Sequence, residues 1–485
     1  MYIIFILLNL NHYKIIMQKF SKFYFKRFEF DISNLKARFH YSFDNEVFFE
    51  ELIDFKNDSF QVIENIDKNI LDNILFHLHI ALWISYYKLF PTNELLVESW
   101  YLDDFQINFW KKFYINWLGE FLYTNKISPK WLFNFVNIKE KVSIKSFYIE
   151  KNKKILVPIW WWKDSIVTIE LLKKAWLNFD LFVFWKIDEL KQATSDISWK
   201  KILQVSRKIS NKLFELNNIW YYNWHVPITW IIAFSMQVIS YLYDYEYLIL
   251  SNEKSANFWN ILWEWVNINH QYSKSLDFEK DFSNYVSKYI SKNVKYFSLL
   301  RWMYELKISE LFSIYWKKYF KFFSSCNNNF KINNIEKYSK KFWCNNCPKC
   351  AFVFSILRPY LSFDEIINIF WEDLYERRDL EKLFRELLWI SGIKPFECVW
   401  EAEEVIYSMY LTLDRQYSKE VLLSLSEKEQ KKGKLSNVKL PYILEIFIKE
   451  VLNKMNKNDF DDIEKKLFTI YNEDIIPIEL KKQVF

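Results

Sequence analysis

The chain has 485 residues, enough for two or three domains, and 51% hydrophobic residues suffice for a sizeable core. Its net charge of +6, with lysine interleaved among acidic residues, argues against nucleic acid as the main partner. Five cysteines, three of them tightly grouped, argue against a disulfide framework and for a reduced, cytoplasmic setting.

The glycine count is the anomaly. There are 3 glycines and 23 tryptophans, whereas ordinary glycine usage is about 7%. Helix C-caps, type II turns and tight loops need left-handed backbone positions that only glycine takes cheaply. Together the two counts approach an ordinary glycine complement. The expectation is that many tryptophans stand for UGA codons read as glycine in the source. Trp176 and Trp389 end helical runs where a C′ glycine belongs, Trp343 directly precedes CNNC, and Trp224 sits in a turn. Trp110 and Trp131 read as ordinary core aromatics.

In chain order, the apolar run Ile3–Leu8 is too short to span a bilayer and lacks a small-residue cleavage site, so no stable membrane insertion is expected. Met17 is the expected start, with 1–16 an upstream extension. Residues 17–149 read as a mixed α/β region: a strand over 28–41, a helix over 72–90 and a helix with a turn over 109–125. His77 and His79, at i and i+2, do not share a helix face and read as polar contacts within a helical layer rather than a metal pair.

Residues 150–320 alternate strand and helix. Strands are expected at 155–159, 181–184 and 246–251, and helices after Trp162, near 196–217 and over 228–243. That alternation predicts an α/β fold with a Rossmann-like parallel sheet and helices on both faces. Ligands of such sheets bind beyond the carboxyl ends of the strands, where 160–165 and 251–260 lie. Residues 321–415 carry a cysteine cluster followed by helices. Residues 416–485 read as a peripheral helical tail without evident chemistry.

The chemistry concentrates at two motifs. Read with glycines, residues 158–165 become PIGGGKDS between a strand and a helix. This is neither a Walker loop nor a GxGxxG turn. It resembles the PP-loop of the ATP pyrophosphatases, GGxDS. In such a loop the backbone N–H groups and helix dipole cradle pyrophosphate, Lys163 and Ser165 add a charge and a donor, and Asp164 orients the loop or helps hold Mg²⁺. Taken as printed, Trp160, Trp161 and Trp162 form a buried aromatic cluster that blocks the same site. The second motif is Cys326, then Cys344, Cys347 and Cys350. Its spacing suits either tetrahedral zinc or a set of unliganded buried thiols.

The longest resemblance runs through several segments in order: ISYYK (84–88), VPIWWWKDSIVTIELLK (157–173), NWHVPIT (223–229), SNEKSANFWN (251–260), NINHQYSKSLDFE (267–279), YFSLLR (296–301), FSSCN (323–327), CNNCPKCAFVF (344–354) and KPFECVWE (394–401). Read together they resemble the UDP-N-acetylmuramoyl-L-alanyl-L-glutamate epimerase family, a PP-loop relative. The departures are almost all tryptophan where the family has glycine. The resemblance implies an ATP- and Mg²⁺-dependent epimerase of peptidoglycan precursor synthesis, with a UDP-linked muramoyl dipeptide as substrate and an acyl-adenylate on the way. It offers His225, His270 and Cys398 as proton-transfer groups, each equally a core or supporting residue. Trp160–Trp162, Lys163, Asp164, Ser165, Asn252, Glu253, Ser255 and Asn257 fall in the nucleotide-binding segments, the last four alternatively as loop caps. Gln271, Ser273, Lys274 and Ser275 are candidate substrate ligands or a solvated polar face. The cysteine cluster also resembles the zinc site of 7-cyano-7-deazaguanine synthase, where the metal is structural. Two alternatives stay open: a PP-loop ligase acting on a nucleobase, and a non-catalytic binding protein if the tryptophan triplet is genuine.

Overall fold

The computed structural model describes residues 20–140, 146, 148, 154–160, 162–184, 198–219, 221–224, 226, 228–315, 317–321, 323–328, 342–391, 401–417 and 440–485. The 1–16 extension, Trp161, His225 and Cys398 lie outside these residues.

The first sheet starts as a meander of β1 (Lys22–Asp31), β2 (Lys36–Phe43) and β3 (Val47–Asp54). The sequence predicts one strand over 28–41, but the alternation continues through a turn. Asp31 accepts the Asn34 N–H at 3.1 Å, an Asx turn that reverses the chain and keeps the register of both strands. The β2–β3 turn places Asp44 and Asn45 at φ 47° and 57°, the geometry of the tight hairpin turn. β4 (Glu94–Val97) and β5 (Asn134–Asn137) extend the sheet in parallel beyond β1.

Helix α1 (Lys68–Leu82) packs on this sheet and is followed by the single turn α2 (Ile84–Tyr87). It starts four residues earlier than the periodicity suggests because Asp67 caps it, accepting from the N–H groups of Asn69 and Ile70. His77 and His79 are fully buried on different partners, the Tyr285 hydroxyl and the His40 carbonyl, and burial lowers each to about 3. They are neutral interior contacts, as their spacing predicts. Helices α3 (Asp104–Trp117) and α4 (Gly119–Asn125) follow, α3 opening on an Asp103–Gln106 capping box.

The second sheet is parallel throughout: β6 (Ile155–Pro158), β7 (Phe179–Val183), β8 (Ile202–Gln204), β10 (Tyr247–Leu250) and β13 (Lys295–Ser298), with β11 (Ile261–Trp263) and β12 (Val266–Ile268) a separate antiparallel pair. Its spatial order is β8-β7-β6-β10-β13, so the winding reverses between β6 and β10. Successive residues alternate between two cores. Leu156, Phe182, Leu203 and Leu248 face α7 (Ile228–Tyr243) and α8 (Leu276–Tyr289), whereas Val157, Leu181, Ile202 and Ile249 face α5 (Lys163–Lys174).

The helix predicted near 196–217 is corrected. Within the described part of that stretch, helix α6 covers only Asn211–Asn218, and KILQVSRK before it forms two short strands. Ile202–Gln204 is β8, and Ser206–Lys208 is β9, which crosses to pair with β3 of the first sheet. Tertiary pairing overrides propensity here because Arg207 meets a buried partner. Its guanidinium bonds Glu51 and, at 2.7 Å, the Ser85 hydroxyl, while Tyr86 donates to Glu51 at 2.9 Å. The first core therefore draws on residues from both sides of position 150, for example through Trp230 Nε1 donating to the Ala81 carbonyl at 2.9 Å.

Beyond the sheets, α9 (Glu305–Tyr315), α10 (Pro348–Leu357), α11 (Phe363–Phe370), α12 (Glu381–Leu387) and α13 (Ala402–Gln416) build the second core. The tail adds α14 (Tyr442–Glu450), α15 (Lys457–Phe468) and α16 (Ile478–Val484). It is not merely peripheral: Ile443, Leu444 and Phe447 are fully buried, and Glu473 pairs with Lys254 at 2.8 Å. Its apolar spacing closes the outer side of this core.

Two sets of tryptophans stand out among the described residues. Trp83, Trp110 and Trp230 are fully buried core residues. Trp176, Trp199, Trp265, Trp371 and Trp389 have φ between 55° and 66°, and all five rings are exposed, Trp176 to 95%. A left-handed backbone is an outlier for a bulky residue, and an exposed indole gains nothing there. Trp343, expected from sequence to replace a turn glycine, is instead buried against Phe323 and Phe370 and has no positive φ. We expect substitution of the five left-handed tryptophans by glycine to raise unfolding stability by about 0.5–1 kcal/mol each. Urea unfolding of the fivefold variant against the printed chain measures this; an unchanged or lower midpoint refutes it.

Candidate active site

The site lies where the winding reverses, at the carboxyl ends of β6, β10 and β13. That is the crevice in which doubly wound sheets bind ligands. β6 is wholly buried, and the loop after it enters α5 directly. Trp162 is the N-cap of α5 with φ −77° and ψ 149°, and no side chain caps the helix. Its backbone is therefore unstrained, and the objection to tryptophan at this position is its ring. The first-turn N–H groups lack a side-chain acceptor, the usual condition for anion binding at a helix start.

Charges converge here from six segments. Lys163, 3% exposed, pairs with Asp164 at 2.6 Å and with Glu305 at the start of α9. Burial pulls the Lys163 ammonium below its usual range, opposed mainly by Asp164. Glu305, fully buried, also faces Lys349 Nζ at 3.7 Å. Glu253, 3% exposed, is pushed up by burial and then by Asp164, and is drawn down by Lys274, Lys349 and Lys163. Glu404 of α13 is fully buried and pushed up to about 8 by that burial, although it accepts the Leu306 N–H at 3.1 Å. Burying so many charges costs several kcal/mol per ion, a cost typical of sites kept for function.

Arg301 holds the rim together. Its guanidinium donates at 2.7 Å to the carbonyls of Glu253 and Lys274 and to the Glu279 carboxylate, joining the β10 loop, the following loop and α8. Asn252 Nδ2 donates to the Ser298 hydroxyl at 3.0 Å, and Asn257 accepts the Leu276 N–H at 2.7 Å. Ser275 caps α8 through the Phe278 N–H. These three side chains serve the loops. Ser255 is fully buried, with its hydroxyl 3.5 Å from the Glu305 N–H, and Ser165 Oγ lies 3.4 Å from the Trp160 N–H. Ser273 and Gln271 are buried, and Gln271 Oε1 has no hydrogen-bond partner. His270 Nδ1 pairs with Glu120 of α4, and its N–H donates to Asn260 at 3.1 Å.

The Trp162 ring sits among the cationic side chains of the cleft. The Trp162 ring lies 4.1 Å from Lys274 Nζ and 5.1 Å from Lys349 Nζ, an indole between two ammonium groups. A separate apolar space, lined by Pro158, Ile159, Trp160, Phe182, Val183, Phe184 and Ile232, does not admit a water molecule. Strand β6 and helix α5 are both formed on either side of this loop.

The sequence-predicted residues Lys163, Asp164, Ser165, Glu253, Ser255 and Lys274 thus come together. Sequence reasoning missed Glu120, Arg301, Glu305, Lys349 and Glu404. Two of them carried a signal: Lys349 stands inside the CPKC step, and Arg301 ends the segment YFSLLR. The four cysteines also meet, their sulfur atoms all within 4.8 Å of one another. No helix among the described residues is long and apolar enough to cross a membrane.

Comparison with known proteins follows this geometry. The profile of the MurL N-terminal domain matches residues 15–299, and that of the MurL C-terminal domain matches 322–439. A UDP-N-acetyl-alpha-D-muramoyl-L-alanyl-L-glutamate epimerase from Xanthomonas oryzae pv. oryzae is 30% identical over 344 residues, 71% of this chain and 75% of the relative. Proteins of the same name from Micromonospora sp. and Salinispora tropica are 28% and 29% identical over 82% and 81% of this chain, and 88% and 85% of their own. No solved structure matches the chain. With both profiles matched in order along the sequence, the chain belongs to the MurL family of UDP-N-acetylmuramoyl-L-alanyl-L-glutamate epimerases.

Proposed function

We propose that this chain, with glycine at 160–162, epimerises the terminal L-glutamate of UDP-N-acetylmuramoyl-L-Ala-L-Glu in the cytoplasm, using ATP through an acyl-adenylate. The observation that carries the ATP reading is the Trp162 ring held between Lys274 and Lys349 at the uncapped start of α5. Removing that ring leaves three ammonium groups, counting Lys163, around a helix N-terminus, which is the chemistry of a polyphosphate site. The family match favours this reading over a nucleobase ligase.

ATP cleavage answers a specific difficulty. A free α-carboxylate resists loss of its own α-proton, because deprotonation builds a second negative charge beside the first. Adenylation removes the carboxylate charge, so an enolate forms with a modest base. Reprotonation on the other face and hydrolysis give D-glutamate and AMP, and pyrophosphate release gives direction. Lys163, Lys274 and Lys349 bind the phosphates. Glu253 and Glu305, each with a buried carboxylate oxygen lacking a hydrogen bond, form a hard-oxygen set that fits Mg²⁺, which supplies charge neutralisation on the phosphates. His270, oriented by Glu120, is a candidate for proton transfer on this rim.

The test is incubation of the glycine-bearing chain with ATP, Mg²⁺ and UDP-N-acetylmuramoyl-L-Ala-L-Glu. We expect AMP, pyrophosphate and D-glutamate in equal amounts. D-glutamate without AMP would overturn the adenylate, and neither product would overturn the whole reading.

A further inference from the structure

We propose that Cys326, Cys344, Cys347 and Cys350 bind one structural zinc ion, and that this ion sets the position of Lys349 in the cleft. The second half rests on the nucleotide reading above; the first stands without it.

The four sulfur atoms lie within 4.8 Å of one another, with Cys347–Cys350 at 3.5 Å and Cys344–Cys350 at 3.7 Å. A tetrahedron with Zn–S bonds of about 2.3 Å has sulfur atoms roughly 3.8 Å apart. Thus four thiols from two distant segments already surround a zinc-sized centre, and all are free rather than paired as disulfides. Three are buried, so no water site competes for them. The CNNC step turns through Asn345 at φ 57°, and Cys344 accepts from the Asn346 N–H at 3.4 Å and from Asn328 Nδ2 at 3.5 Å. Such N–H···S bonds orient a thiolate. Cys347 is the N-cap of α10 and Cys350 lies in its first turn, where the helix dipole favours negative sulfur. Four thiolates leave no open coordination position, so the ion is structural.

The consequence for the cleft comes from spacing. Lys349 stands between the two ligands of the CPKC step, is 1% exposed, and directs its ammonium to Glu305 and the Trp162 ring. With Cys347 and Cys350 on one ion, the backbone carrying Lys349 is clamped on both sides. Without the ion, the first turn of α10 loses its anchor and this ammonium loses its fixed position.

Elemental analysis of the full-length chain, purified without added metal, is expected to give one zinc per chain. After chelation, Co²⁺ is expected to restore the absorption of a tetrahedral tetrathiolate site. Cys344→Ser, the least buried ligand, lowers zinc content, and should it fail to fold, the cobalt spectrum of the unmutated chain decides. Absence of both zinc and the cobalt spectrum overturns the site, as does recovery of iron with sulfide. In the glycine-bearing chain, Lys349→Ala is expected to keep one zinc and weaken ATP affinity at least tenfold, with chelated chain showing the same loss and zinc restoring it. Unchanged ATP affinity after chelation overturns the positioning role while leaving the zinc site intact. Failure of ATP to bind even the zinc-loaded, unmutated glycine chain marks failure of the nucleotide reading instead.

Discussion

Glycine at Trp160, Trp161 and Trp162 together is expected to create ATP affinity in a chain that, as printed, has almost none. The printed loop ends on an indole lodged between Lys274 and Lys349, and the space beside Trp160 excludes even water. A triphosphate gains access only when those rings are gone. Each backbone N–H given to a phosphate oxygen contributes about 1.5–3 kcal/mol. Two such bonds, with the ammonium groups uncovered, correspond to a gain on the order of 100-fold or more in affinity. Calorimetric titration of ATP into the two chains measures it. Equal affinity would mean that the tryptophans are no obstruction and would favour a genuine aromatic loop. Peptide mass mapping of the protein from its source, at 158–165, asks the same question from the other side: glycine masses are expected at all three positions.

The second large effect concerns proton transfer. His270→Gln in the glycine-bearing chain is expected to reduce D-glutamate formation by about 10²–10⁴-fold, while substrate-dependent pyrophosphate release persists. The reasoning is geometric. Glu120 engages Nδ1, which orients the imidazole on this rim. His270 also sits one residue from Gln271 and four from Lys274, on the loop that Arg301 ties to Glu253. In the proposed reaction adenylation uses the lysines, not the imidazole, so the two half-reactions separate. In deuterated water the variant should also stop incorporating deuterium at the glutamate α-carbon. Full epimerisation by the variant removes His270 from the reaction and directs attention to His225 and Cys398. Loss of both half-reactions together would assign His270 to the structure of the rim.

Much of this was legible before any fold was known. Strand β6, the abrupt loop and α5 follow from a buried apolar run, turn position and helical spacing within one segment. Helix α7 appears at its predicted limits, Ile228–Tyr243. The glycine deficit predicted strain at Trp176 and Trp389, and both carry left-handed backbone. Trp343 shows the limit of the same argument, because a buried ring between two phenylalanines satisfies tryptophan without a turn.

What the sequence determined by itself is local: periodicity, turn chemistry, cysteine spacing and the ordered segments of a family. What only the tertiary structure decided is which of these meet. Lys163 pairs with Glu305 across 142 positions, Leu306 binds Glu404 across 98, and Lys349 reaches the cleft from the cysteine step. No periodicity records such meetings, because they depend on the order in which parallel strands are laid down. That order reverses between β6 and β10, and the reversal opens the crevice into which these charges point. Trp162 stands at its edge, with its ring beside the Lys274 and Lys349 ammonium groups.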